Sequence, residues 1–185
     1  DLYVVDCAGE GVGDDFHGGD DVVKSSVTFS LNDAPYVESL VLTGNAPIDG
    51  YGTNGPDRIT GNGAGNLIEG LGDDDLLVGG AGNDTFAGGW GADTLIGGMG
   101  DDRYSDDGDG DLIVEAPGAG FDTLYTLFSV VLPEGIEGLE MFDPSDITGT
   151  GNAAGNRMIG NGGANLLAGK GGNDTLDGGT GDDTL

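Results

Sequence analysis

The chain has 185 residues, 41 of them glycine, and its 34 acidic against 5 basic residues give a formal charge of −29. That balance excludes a nucleic-acid backbone as an attractive partner, argues against an anionic membrane surface, and leaves cations as the counterpart. Glycine at this level points to repeat structure rather than an ordinary packed core, and no apolar run approaches the roughly 20 residues of a membrane span.

In chain order, residues 1–3 read as the end of a preceding repeat run, because Asp1 and Tyr3 match Asp102 and Tyr104 at a shift of 101 residues. Residues 4–51 form a β-rich spacer. Within it Val23, Ser25, Val27, Phe29 and Leu31 alternate with Ser26, Thr28 and Ser30, which predicts one strand, and residues 37–42 predict a second. The lone Cys7 allows no internal disulfide and reads as an incidental small side chain. His17 sits in an acidic, glycine-rich stretch and reads as solvated rather than catalytic.

Residues 52–105 then repeat every nine residues without a slip: GTNGPDRIT, GNGAGNLIE, GLGDDDLLV, GGAGNDTFA, GGWGADTLI and GGMGDDRYS. Position six is Asp57, Asn66, Asp75, Asp84, Asp93 and Asp102; position eight is Ile59, Ile68, Leu77, Phe86, Leu95 and Tyr104. A period that keeps one polar and one apolar register is the signature of a solenoid. A second spacer occupies 106–150, and a second, truncated run occupies 151–185, with Asn156, Asn165, Asp174 and Asp183 at position six. The second run superimposes on the first at a shift of 99 residues, so the sequence holds almost two copies of one unit of about 100 residues.

Nine residues of this kind supply a glycine-rich turn followed by a short strand whose position-eight side chain points inward. Two units close a flattened coil of 18 residues, and coils stacked about 4.8 Å apart build a parallel all-β solenoid. Asp57, Asp75 and Asp93 then form one column of turn side chains, and Asn66, Asp84 and Asp102 the other. Bare carboxylates at that spacing repel by about 3 kcal/mol at an effective dielectric of 20. A hard dication between the turns reverses the sign. Calcium suits the turns better than magnesium, since it takes 6–8 oxygens, carbonyls included, at variable geometry. Zinc has too few nitrogen and sulfur ligands here.

The units GGAGNDTFA, GGWGADTLI, GGMGDDRYS and GGTGDDTL resemble the RTX, or haemolysin-type, calcium-binding nonapeptide GGxGxDxUx. The resemblance implies a right-handed parallel β-roll (a β-solenoid) with calcium in the turns, and export by type I secretion. It also implies a ligand set: carbonyls at positions two and four with the Asp of one turn, then positions one and three with the Asp of the turn 18 residues on. Carried over, one site is Gly80, Gly82 and Asp84 with Gly97, Met99 and Asp102. A second is Leu71, Asp73 and Asp75 with Gly88, Trp90 and Asp93, while Asp174 and Asp183 fit a coil that would follow Leu185. Asn66, Asn156 and Asn165 replace the carboxylate and imply weaker or empty turns.

The expected function is that of a non-catalytic, extracellular or cell-surface bacterial module that folds on binding calcium, within a large structural or adhesive protein. An accessory segment of a secreted protease, lipase or polysaccharide-modifying enzyme is the alternative, and a glycan-binding module a third. Nucleic acid and membrane insertion are excluded as partners; further copies of the repeat, a cell surface or a glycan stay open.

Overall fold

The computed structural model describes residues 1–13 and 19–185; His17 lies outside the described residues. Among the described residues every strand pairing is parallel, and the strands form three sheets. The first sheet runs β1 (Leu2–Val5), β2 (Val22–Ser25), β4 (Ser39–Leu42), β6 (Arg58–Thr60), β8 (Leu76–Ala81), β10 (Thr94–Met99) and β12 (Leu112–Val114). The second runs β3 (Phe29–Ser30), β5 (Gly50–Tyr51), β7 (Leu67–Gly72), β9 (Thr85–Trp90), β11 (Arg103–Asp106), β13 (Thr123–Thr126), β15 (Gly138–Met141), β17 (Arg157–Ile159) and β19 (Thr175–Asp177). The third holds β14 (Val130–Val131), β16 (Thr148–Thr150) and β18 (Leu166–Ala168). From β2 on, successive strands alternate between the second sheet and one of the other two, which makes a β-solenoid.

The register follows the 18-residue coil. Leu77 pairs with Ile59 and Leu95, and Phe86 with Ile68 and Tyr104. All six position-eight side chains of the 52–105 run are fully buried, and the Phe86 and Tyr104 rings stack at 5.1 Å. Strands β7 to β10 are six residues long, because positions two and three of the next unit go on pairing before the chain turns.

Both spacers wind into the same solenoid. Val23 and Leu40 extend the Ile59–Leu77–Leu95 ladder, while Leu124, Leu139 and Met158 extend the Phe86–Tyr104 ladder. Gly50 occupies an inward position, where Leu40, Leu42 and Ile59 fill the room its missing side chain leaves. The single strand read over residues 23–31 is broken: β2 ends at Ser25, the chain bends, β3 follows in the opposite sheet, and a 3-10 turn covers Leu31–Asp33. At the bend the Ser25 hydroxyl donates to the Val27 carbonyl at 2.6 Å and accepts the Val27 amide at 3.2 Å. Thr126 makes the equivalent corner in the second copy, accepting the Phe128 amide at 2.9 Å. Alternation persists through a corner, so the pattern alone does not reveal where a strand changes sheet.

Candidate metal centre

The glycines of the GGxG turn do two different jobs. Positions two and four carry positive φ: 107° and 105° at Gly80 and Gly82, 100° and 140° at Gly89 and Gly91, 111° and 131° at Gly98 and Gly100. Only glycine adopts this region without strain. Leu71 and Asp73 hold the same positions with φ of 84° and 68°, so the third unit takes the metal-type turn at a steric cost that its neighbours avoid. Position one is different. Its φ is ordinary, but a Cβ on Gly70, Gly79, Gly88 or Gly97 would overlap the Oδ2 of Asp75, Asp84, Asp93 or Asp102 in its own turn.

These turns also aim their carbonyls into the gap between coils. The Leu71, Asp73, Gly80 and Gly82 oxygens, at positions two and four, lie against Gly89, Gly91, Gly98 and Gly100 of the following coil. At position three the Met99 carbonyl faces back and accepts the Gly82 amide at 2.8 Å.

The aspartates form the two columns expected. Each reaches back one coil with Oδ1: Asp75 accepts the Asp57 amide, Asp93 the Asp75 amide and Asp84 the Asn66 amide, all at 2.8 Å, and Asp102 the Asp84 amide at 2.7 Å. Their second oxygens do something unusual for a buried acceptor. Among the described residues, Oδ2 of Asp75, Asp84, Asp93, Asp102, Asp107, Asp111 and Asp122 is buried with no hydrogen-bond partner. An unpaired buried charge is strongly disfavoured. Burial accordingly pushes Asp75 and Asp102 up to about 7, with neighbouring carboxylates adding to the rise, and Asp84 up to about 6. Oxygen-only donors, preset carbonyls and an ionisable oxygen lacking a partner suit calcium.

The asparagine turns solve the same problem with their own atoms. Asn62, Asn152 and Asn161 at position two each accept the amide two residues on, at 2.8, 2.9 and 2.8 Å, and their own amides donate to Asn66, Asn156 and Asn165 Oδ1. In two of the three the position-six amide then reaches a backbone carbonyl of the previous coil, Asn66 Nδ2 donating to Ile48 at 2.6 Å and Asn156 Nδ2 to Ile136 at 3.2 Å, while Asn165 Nδ2 donates to Asn161 Oδ1 at 2.9 Å. The side-chain amide stands where the other turns leave an oxygen exposed to a cation.

The structure brings Gly80, Gly82, Asp84, Met99 and Asp102 to one inter-coil gap, and Leu71, Asp73, Asp75, Gly88, Trp90 and Asp93 to the equivalent gap on the other edge. The Trp90 side chain is 81% exposed, so only its backbone faces the turn. Asp174 and Asp183 accept the Asn156 and Asn165 amides, both at 2.9 Å, on the last coil described, and Asp174 is exposed. The nonapeptide reading missed Asp111 and Asp122, which continue the columns by accepting the Asp93 amide at 3.0 Å and the Asp102 amide at 2.8 Å. A signal was there for the first: residues 106–114, DDGDGDLIV, keep the frame, with Asp111 at position six and Ile113 at position eight, but lack the glycine pair. Asp122 stands two residues out of frame.

Comparison with known families gives the same answer as the turns. The four-copy profile of the RTX calcium-binding nonapeptide repeat matches residues 51–86, 69–104 and 150–185. No curated protein and no solved structure gives a match. With glycines placed for the turn, an oxygen-only inter-coil gap and the matching repeats, this chain belongs to the RTX calcium-binding nonapeptide-repeat family.

Proposed function

We propose that this chain is a non-catalytic, calcium-folded segment of a large secreted or cell-surface protein with a structural or adhesive role. The row of buried, unpartnered Oδ2 atoms supports the folding part of this reading, because a coil stack that needs a dication stays open wherever the dication is scarce. Export through type I secretion fits a chain that remains unfolded inside the cell and folds outside it. The structural or adhesive role is supported by the recurrence of the whole unit, spacer included, in one continuous solenoid. The ligand sets are Gly80, Gly82 and Asp84 with Gly97, Met99 and Asp102, and Leu71, Asp73 and Asp75 with Gly88, Trp90 and Asp93. Asp174 and Asp183 would serve a further coil.

Circular dichroism in chelator and then in calcium tests the reading. The metal-free chain is expected to be largely unfolded near neutral pH and to gain β-structure cooperatively as calcium is added. A full β-spectrum in chelator, unchanged by calcium, would remove the basis for calcium-controlled folding.

A further inference from the structure

Beyond the last nonapeptide of the first run the solenoid continues, and its carboxylates converge where the repeat pattern has ended. One carboxylate oxygen from each of Asp102, Glu115 and Asp122 lies within 4.8 Å of those of the other two. Asp102 and Asp122 are each only 1% exposed, and the Oδ2 of both is buried without a partner. Glu115 Oε1 and Asp102 Oδ2 meet over Gly97, where a Cβ would overlap both, and the Tyr104 hydroxyl donates to Glu115 at the same place. The backbone keeps parts of the metal-type turn. Gly118 has φ of 79°, the Ala119 carbonyl accepts the Gly100 amide at 3.0 Å, and the Gly100 carbonyl lies against Gly120. The coil from Asp102 to Asp122 is two residues longer than the nonapeptide coil, and Pro117 stands where the position-one glycine would be. The turn keeps these carbonyl contacts without the glycine pair, and a side chain from two residues earlier enters the gap.

We propose that Asp102, Glu115 and Asp122 form a calcium site outside the nonapeptide runs, in which the Glu115 carboxylate joins the two column aspartates as a third charged oxygen donor. Three carboxylates around one gap repel one another unless a dication joins them, and calcium accepts such mixed carboxylate and carbonyl shells. The site caps the Asp84–Asp102 column and ties the first run to the spacer that follows. It rests on the reading that calcium folds the chain, and its test separates the two.

The experiment counts calcium bound per chain by equilibrium dialysis, with circular dichroism on the same samples. Glu115→Gln keeps an oxygen for the Tyr104 hydroxyl and removes only the charge; Tyr104→Phe removes the hydrogen bond and keeps all three carboxylates. Glu115→Gln is expected to fold in calcium while binding about one ion fewer, or binding that ion at least tenfold more weakly, and Tyr104→Phe to keep the full count. An unchanged count and affinity in Glu115→Gln, or an equal loss in Tyr104→Phe, would overturn the site and make Glu115 a packing partner of the tyrosine. If the unmutated chain showed no calcium response, the folding reading would fail instead. Should Glu115→Gln not reach the folded state, terbium emission excited through tyrosine decides the matter on a Trp90→Phe chain. An ion beside Glu115 makes that emission fall by more than half when Tyr104→Phe is added, and unchanged emission overturns the site.

Discussion

At the scale of single residues, the buried carboxylates set opposite pH responses with and without metal. Burial pushes Asp75 and Asp102 up to about 7, and Asp84, Asp111 and Asp122 up to about 6. An unfolded aspartate titrates near 3.9, so between about pH 4 and pH 7 the metal-free fold holds protons that the unfolded chain has released. The stability of the metal-free fold is therefore fully present below about pH 4 and lost as pH rises through 6 to 7. Calcium needs the ionised form, so its affinity falls over the same window as pH drops. In chelator, the β-signal is expected to grow as pH is lowered from 7.5 to 5; in calcium, the folding midpoint is expected to move to higher calcium. A flat chelator profile would mean that these carboxylates are not buried as described. Glycine chemistry gives a second test at this scale. Gly88→Ala places a methyl against Asp93 Oδ2 and is expected to raise the calcium midpoint at least tenfold, whereas the Gly63 Cβ position is open and Gly63→Ala should be silent. Equal midpoints for the two variants would refute the assigned role of position one.

At the scale of turns and strands, two turn chemistries alternate with one strand chemistry. The asparagine turn is satisfied internally and the aspartate turn is not. Asn66→Ala is thus expected to weaken folding with the calcium count unchanged, because it removes the amide that donates to Ile48, while Asp84→Ala should lower the count itself. Equal calcium losses from the two would mean that the columns are misassigned. In the strands, Leu95 is fully buried between Leu77 and Ile113, and its neighbour Thr94 is only half-buried. Leu95→Asp should cost several kcal/mol and Thr94→Asp little; a calcium midpoint shifted more by the Thr94 change would put the wrong face in the core. Much of this was legible in the sequence, because a strict period carries the inward register and both columns with it. Less was legible where the structure depends on closure in space. The corner at Ser25 keeps strand alternation, Asp122 joins its column from a coil of 20 residues, and Glu115 arrives from outside any frame. Position one also looked like a plain turn glycine, and only the fold shows that it makes room for a carboxylate.

At the scale of the whole molecule, the unit spans a half-integral number of coils. Strands β1, β2, β4 and β6 lie in the first sheet, while their counterparts β11, β13, β15 and β17 lie in the second. Successive copies therefore present equivalent strands on opposite faces, and any surface feature of the unit alternates sides along the solenoid. The acidic columns, by contrast, line both edges between Asp75 and Asp122, and the formal charge of −29 makes general screening a rival explanation for any effect of calcium. The two can be separated by length scale. Carboxylates one coil apart, about 4.8 Å, lie inside the Debye length of about 8 Å at physiological ionic strength, so monovalent salt leaves most of their repulsion in place. Nor can a screening cloud ligate an Oδ2 that has no donor within the protein. Sodium chloride at an ionic strength well above that of the calcium solution is therefore expected to leave the chelated chain unfolded, whereas calcium near about 1 mM folds it. Magnesium, which dehydrates reluctantly and prefers a strict octahedron, should require a much higher concentration. The measurement is the far-ultraviolet dichroism amplitude in each salt. A full β-signal in sodium chloride alone would show that neutralising the chain, rather than ligating its turns, holds the coils together.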